Sequence, residues 1–342
     1  MIWLTWRQFR SQLLATIAAL VVLTAYLLYL GTSMRSAYNS DILGCLAANG
    51  CQLDDAKDRF IQDYQNLVTI PAIILIALPA IIGVFWGTPL ITRELETNTH
   101  RLVWNQSITR TYWLAIKLTI IGLTAIITTA ALSILLTWAA SRYDQTLGNR
   151  FDPLSFATRN VAPLGYITFA FILGTTIGLF VRRTVPAMAA TLLIIGVVQV
   201  LVPTITRPYL RPPVTESVAF NEKVREAGGI LDIGRDRPLA VLGYAIPGAL
   251  TLNDEAPLLD SSGKTMYATD VQQCLNDATG APPQGEEEDP LDACIASKNL
   301  HFEVKTQPAS RYWSFQWLEG GAFFGLGMLL AGLAFWRIRR LG

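Results

Sequence analysis

Charge is what this sequence has least of: 15% of its residues are charged against 51% hydrophobic, and its mean hydropathy is +0.36. A soluble protein has about a quarter of its residues charged. The scarcity excludes a soluble globular fold if the apolar residues lie in runs, and they do. No charge interrupts residues 12–34, 67–92, 118–141, 161–181, 184–206 or 320–336, and a helix needs roughly 20 such residues to cross a bilayer. Histidine is scarcer still. His100 and His301 are the only two and both lie outside these runs, which excludes an H-E-x-x-H metal pair and a serine–histidine dyad within the membrane. A nucleotide-binding loop is missing as well. Gly263, Lys264 and Thr265 read G-K-T, but a P-loop needs a glycine five positions earlier and Leu258 stands there. No catalytic residue, metal site or cofactor is expected of this chain, and no nucleic-acid partner.

What is present is an all-α polytopic membrane protein of six transmembrane helices. Even spacing puts both termini on one side of a cell membrane. The loops on that side hold eleven of the 27 basic residues, Arg182, Arg183, Arg337, Arg339 and Arg340 among them, but only Glu94 and Glu96 of the 26 acids. The positive-inside rule makes that side cytoplasmic.

All four cysteines, Cys45, Cys51, Cys274 and Cys294, fall in loops assigned to the outside, where disulfides persist. Four cysteines allow three pairings. The short spacings read as two local staples, Cys45 with Cys51 and Cys274 with Cys294.

Residues 1–11, with Trp3, Trp6 and Phe9 among Arg7 and Arg10, have the pattern of an amphipathic helix on the inner surface. The run that follows is too long for a signal peptide and lacks a small-residue cleavage site, so the segment is expected to be retained. Residues 12–206 contain the first five spans. Pro79 in span two should kink it unless neighbours satisfy the freed carbonyl, and Lys117 in span three is close enough to the surface to snorkel. Gly174 and Gly178 in span four have G-x-x-x-G spacing, a signal for close helix packing, within the chain or between subunits. Residues 207–311 hold most of the prolines and acids and form an extracellular module. Within it 239–252 is apolar enough to pack against the mouth of the bundle or re-enter it. Residues 312–342 are span six and a basic tail. Glu319 is the one acid that stands out inside a span; such a group faces a polar cavity or a partner.

The loop between spans two and three, RELETNTHRLVWNQSITRTYWLAIKL, is long for a connector. Over about 93–112 it fits a short amphipathic helix, bound to headgroups or docking a soluble partner. Here the chain resembles the ABC type 2 exporter permeases, whose second and third spans are joined by an R-E-x-E-x-G-T-like segment, a hydrophobic stretch, a P-x-S-R-like turn and a lysine. Arg93, Glu94, Glu96 and Thr99 match the first part, Leu102 the middle, Thr109 and Arg110 the turn, and Lys117 the end. Asn98 replaces the usual glycine, and Ser107 stands where proline is common. The large disulfide-bearing loop between spans five and six is similar to that of the G subfamily, and the tail QPASRYWSFQW from 307 to 317 resembles actinobacterial permeases.

The resemblance implies a coupling helix at Arg93, Glu94, Glu96, Asn98, Thr99, His100, Arg101, Leu102 and Trp104, held by a cytoplasmic ATPase subunit that binds ATP and magnesium. It further implies a second permease copy or paralogue and export of a hydrophobic or amphipathic substrate. Phe85, Thr88, Thr191, Gln199 and Glu319 are the candidate substrate pathway. The alternative is a membrane-anchored receptor or scaffold that senses a ligand through residues 207–311.

Overall fold

The computed structural model describes residues 2–48, 51–97, 109–234, 237–277 and 290–340. Among the described residues six helices are long and apolar enough to cross a membrane. These spans one to six are Thr16–Ala47, Leu53–Glu96, Arg110–Ala139, Ala162–Val181, Thr184–Tyr209 and Ala309–Arg339. The chain separates into two compact units, one of Met1–Gly148, Asp152–Arg207 and Trp313–Gly342, the other of Asn149–Phe151 and Pro208–Tyr312.

In the first unit, Ile2–Ala37 is one uninterrupted helix, so the separate amphipathic helix expected over 1–11 is merged into span one. The loop expected after span one is also largely helical. A π-helical turn at Tyr38–Leu43 and a short helix Gly44–Ala47 lead to the disulfide Cys45–Cys51, and the next helix starts at Leu53. Asp54 and Asp55 occupy that helix's first turn, where its dipole favours negative charge. Phe60 is 2% exposed and stacks with Tyr38 and Tyr64 at ring-centroid distances of 6.0 and 5.0 Å. The acidic stretch 54–63 is therefore the polar face of a half-buried helix.

Span two stays helical through Pro79 to Ile82 and then widens into a π-helical turn, Gly83–Gly87, before Pro89–Glu96. Its wide turn is closed by Thr88 N donating to Gly83 O at 3.0 Å. Span four lies against it closely: a Cβ on Gly174 would stand 2.2 Å from Gly83 O. The G-x-x-x-G spacing thus packs the chain against itself, Gly178 facing Thr92 in the same way. Span four is the central helix, with 67% of its apolar window buried against 22% for spans one and five. A helix apolar on every side needs such surroundings. Arg182, at φ +57, ends it in the left-handed conformation and turns the chain into span five.

The second unit corrects the all-helical expectation. It contains a small antiparallel sheet of strands β1 (Val214–Ala219), β2 (Ile230–Asp232), β3 (Ala240–Leu242), β4 (Leu250–Thr251), β5 (Glu255–Leu259) and β6 (His301–Gln307). Their order is β1-β6-β5-β3-β2, with β4 also on β6. Val218 opposes Phe302 and Val241 opposes Ala256. Phe302, Val304, Leu239, Val241 and Leu258 point to one buried core with Val271 and Ile295, the period-two pattern of a one-sided sheet. The segment 239–252 supplies β3 and β4 to this sheet, and its Leu239 and Val241 find burial within the unit. Cys274–Cys294 joins the helices Gln272–Asp277 and Pro290–Ser297.

Candidate functional site

Among the polar clusters inside the apolar bundle of the first unit, two ion-paired ones lie near its opposite ends. The first fastens the two sides of the segment between spans two and three. Glu94 Oε1 meets Lys117 Nζ at 2.5 Å, with Lys117 3% exposed. Lys117 also donates to Leu90 O at 3.3 Å and lies 4.5 Å from the Trp113 ring centroid. The lysine expected to snorkel outward is instead buried, because a carboxylate one turn from the end of span two meets its charge within reach.

Glu96 serves a different neighbour. Its Oε1 accepts from Thr184 N at 2.8 Å and its Oε2 from Thr184 Oγ1 at 2.6 Å. Thr184 opens span five, and an anion there satisfies otherwise unpaired amides and complements the helix dipole. Thr184 Oγ1 also lies within hydrogen-bond distance of Thr92 Oγ1, at 2.9 Å. Arg93 is exposed. Thr109 caps span three by accepting from Tyr112 N at 3.3 Å. Asn98, Thr99, His100, Arg101, Leu102 and Trp104 lie outside the described residues.

At the opposite end, Glu319 is 2% exposed and Arg207 1%. Arg207 Nε donates to Glu319 Oε2 and Nη2 to Oε1, both at 2.9 Å. The Tyr166 hydroxyl donates to Glu319 Oε1, and the guanidinium carbon lies 4.1 Å from the Phe156 ring centroid. A planar fork against a carboxylate with an aromatic face beneath is a geometry that arginine fills and lysine does not. Three elements are pinned together: the end of span five, the first turns of span four and the second turn of span six. Gln316, one turn before Glu319, accepts from the amides of Val161 and Ala162 at 3.2 and 2.8 Å, capping span four. A Cβ on Gly165 would stand 2.3 Å from Gly320 O, so spans four and six touch backbone to backbone here.

Beside this cluster is a cavity of about 220 Å³ between spans two, four, five and six. It is lined by Phe169, Val198 and Phe323 together with Tyr166, Gln199 and Arg207. Of the five residues proposed for a substrate pathway, Gln199 lines the cavity and donates to Ile76 O, and Glu319 forms the cluster beside it. Thr88 and Thr191 are fully buried and paired with each other at 3.3 Å. Phe85 faces outward, 58% exposed. The five are not gathered at one place.

Sequence reasoning left Arg207 in the extracellular module and passed over Tyr166 and Phe156. The signal was there in opposite charges: Arg207 is the first charge after the uncharged run 184–206, and Glu319 lies just inside span six. Both charges belong to the first unit and lie at adjoining ends of spans five and six, so each had the other within reach.

Six apolar helices with ion pairs buried between them define a multi-pass membrane protein whose charged residues tie helices to one another. The family described as ABC-2 membrane transporter related matches residues 17–207, more than half of the chain and nearly all of the first five spans. The chain belongs to that family, and with it to the membrane-spanning permease components of ABC transporters. Searches of curated proteins and of solved structures returned no match.

Proposed function

We propose that this chain is the permease subunit of an ATP-binding cassette exporter, moving a hydrophobic or amphipathic substrate outward with ATP hydrolysed by a separate cytoplasmic subunit. It works beside a second permease, identical or paralogous, with both termini in the cytoplasm. Besides family membership, one observation supports this reading. The residues that bound the segment 97–109 are fastened to different spans, Glu94 to Lys117 of span three and Glu96 to Thr184 of span five. A push delivered to that segment by an ATPase therefore moves spans two, three and five together, and span four follows through its contact with the Gly83–Gly87 turn. Coupling requires only that the two arrangements of these spans bind the ATPase's nucleotide states with different affinity. The basic loops on the same side support the cytoplasmic assignment.

The test is transport by the purified complex in inside-out vesicles across a panel of amphipathic peptides, antibiotics and lipids, with an ATPase-dead partner as control. ATP-dependent uptake with the native partner alone is the expected result. Failure of any ATPase to co-purify, or labelling of His100 from the exterior of intact cells, overturns the reading.

A further inference from the structure

We infer that the ends of spans four and six opposite Arg207 form a binding site for the phosphate of an anionic phospholipid, with Arg337 and Arg182 as its cations. The inference goes beyond the exporter reading and does not depend on it.

Packing brings the two helix ends together. Leu179 of span four shares a buried core with Ala334 and Ile338 of span six. The next residue of span four, Phe180, is exposed, and the Arg337 guanidinium carbon lies 5.2 Å from its ring centroid. The negative face of the ring attracts a cation at that distance. Arg182, two positions beyond Phe180, is exposed as well and turns the chain at φ +57. One exposed ring therefore has a cation against it from span six and another two residues along its own chain.

The acids at this end are engaged elsewhere. Glu94 is bound to Lys117 and Glu96 to Thr184. Arg183 adjoins Thr184 and feels the charge of Glu96, so an acid already stands near it. Arg182 and Arg337 form no ion pair among the described residues. Arg340, whose guanidinium carbon lies 4.3 Å from the Trp336 ring centroid, adds to the positive field. A positive-inside bias requires only that cations lie on this side of the membrane. Their gathering around one ring between two helix ends is a further feature, and basic sites so placed suit anionic headgroups.

The helix face next to the cations decides what the anion carries. Leu333 and Leu329 stand four and eight positions before Arg337, on the same face of span six, and both are exposed. A free phosphate ion has no use for that stripe, whereas the acyl chain of a lipid whose phosphate sits at Arg337 runs along it. A zwitterionic lipid offers the same phosphate but brings an ammonium beside the arginines. A headgroup of net negative charge, such as phosphatidylglycerol, is therefore preferred.

The experiment uses the full-length protein in nanodiscs of mixed phosphatidylglycerol and phosphatidylcholine, without ATPase or nucleotide. Trace phosphatidylglycerol or phosphatidylcholine bearing the same diazirine in its acyl chain is added, and crosslinks are mapped by mass spectrometry. The phosphatidylglycerol probe is expected to label the peptides containing Phe180 and Leu333 about tenfold more than the phosphatidylcholine probe. That lies within the roughly 25-fold that two arginines supply at about fivefold each. Arg182→Asn, neutral and tolerant of the left-handed backbone, and Arg337→Gln should each lower the ratio to about two. Arg182 is exposed, so its variant carries the test whether or not Arg337→Gln folds.

Arg7→Gln with Arg10→Gln removes two positive charges from the start of the first helix, and should leave the ratio at Phe180 and Leu333 unchanged. Inorganic phosphate should compete no better than chloride at equal ionic strength. Equal labelling by the two probes in the native protein would overturn the inference. An equal fall in the Arg7 and Arg10 variant would show a diffuse attraction rather than a site, and displacement by inorganic phosphate would assign the arginines to a free ion. Either result would overturn it as well.

Discussion

Arg207 and Glu319 stand 112 positions apart in the chain and meet as a two-pronged ion pair, both bonds 2.9 Å long and both residues almost wholly buried. Pro208–Tyr312, which lie between them, belong to the second unit, so the pair ties together the two points at which the chain leaves and re-enters the first. Removing one partner strands a buried charge, which costs about 3–5 kcal/mol, whereas replacing both by hydrocarbon of similar volume is neutral or stabilising. Glu319→Gln and Arg207→Met should each lower the unfolding midpoint of the purified protein markedly, and the double variant Arg207→Met with Glu319→Leu should restore most of it. A double variant as unstable as the sum of the two singles would show that the pair does not act as a unit.

Gly174 and Gly196 make a controlled comparison because both are helical and only one is crowded. A Cβ on Gly174 would meet the carbonyls and amides of span two, whereas one on Gly196 meets nothing within 4 Å. Gly174→Ala should therefore destabilise by about 1–3 kcal/mol through overpacking, and Gly196→Ala should stabilise by a few tenths up to about 1 kcal/mol through the reduced freedom of the unfolded chain. Thermal unfolding of the two variants beside the native protein checks both signs.

Glu96 offers a test of force transmission that leaves the bundle intact. It is exposed and its contact is with Thr184 at the start of span five, so Glu96→Ala should change stability little. If thrust reaches span five through that contact, the variant should keep its ATPase partner yet lose most of the substrate-stimulated ATP turnover. Lys117→Met, which removes the lysine paired with Glu94, should by contrast lower stability by about 1–3 kcal/mol. Equal turnover in Glu96→Ala and native complexes would place the force elsewhere.

Much of this molecule was legible as pattern. Uncharged runs identify spans because the bilayer imposes a minimum length, and Gly174 with Gly178 identifies a close contact because only a missing side chain permits it. What stayed hidden depended on partners distant in sequence. Lys117 reads as a surface cation until span two brings Glu94 to it. The acids of 54–63 read as loop because charge outweighed the apolar positions Leu53, Phe60 and Tyr64, which fall on one helical face. The sheet in 207–311 was missed because its strands are short, three of them no more than three residues, and because the apolar stretch at 239–252 was weighed against the membrane rather than against Phe302 and Val304 of the same unit.

The two disulfides test stability and orientation in one measurement. Cys45–Cys51 and Cys274–Cys294 close loops of 6 and 20 positions. On a chain-entropy account they stabilise by about 2 and about 3 kcal/mol respectively. Paired serine substitution at 274 and 294 should therefore cost more than the same change at 45 and 51, read as the loss of unfolding midpoint in the purified protein. In intact cells a membrane-impermeant reductant followed by an impermeant maleimide should label both pairs, because both face outward in the orientation that the basic loops support. Labelling that requires permeabilised cells would invert the topology, and with it the side from which an ATPase could reach residues 97–109.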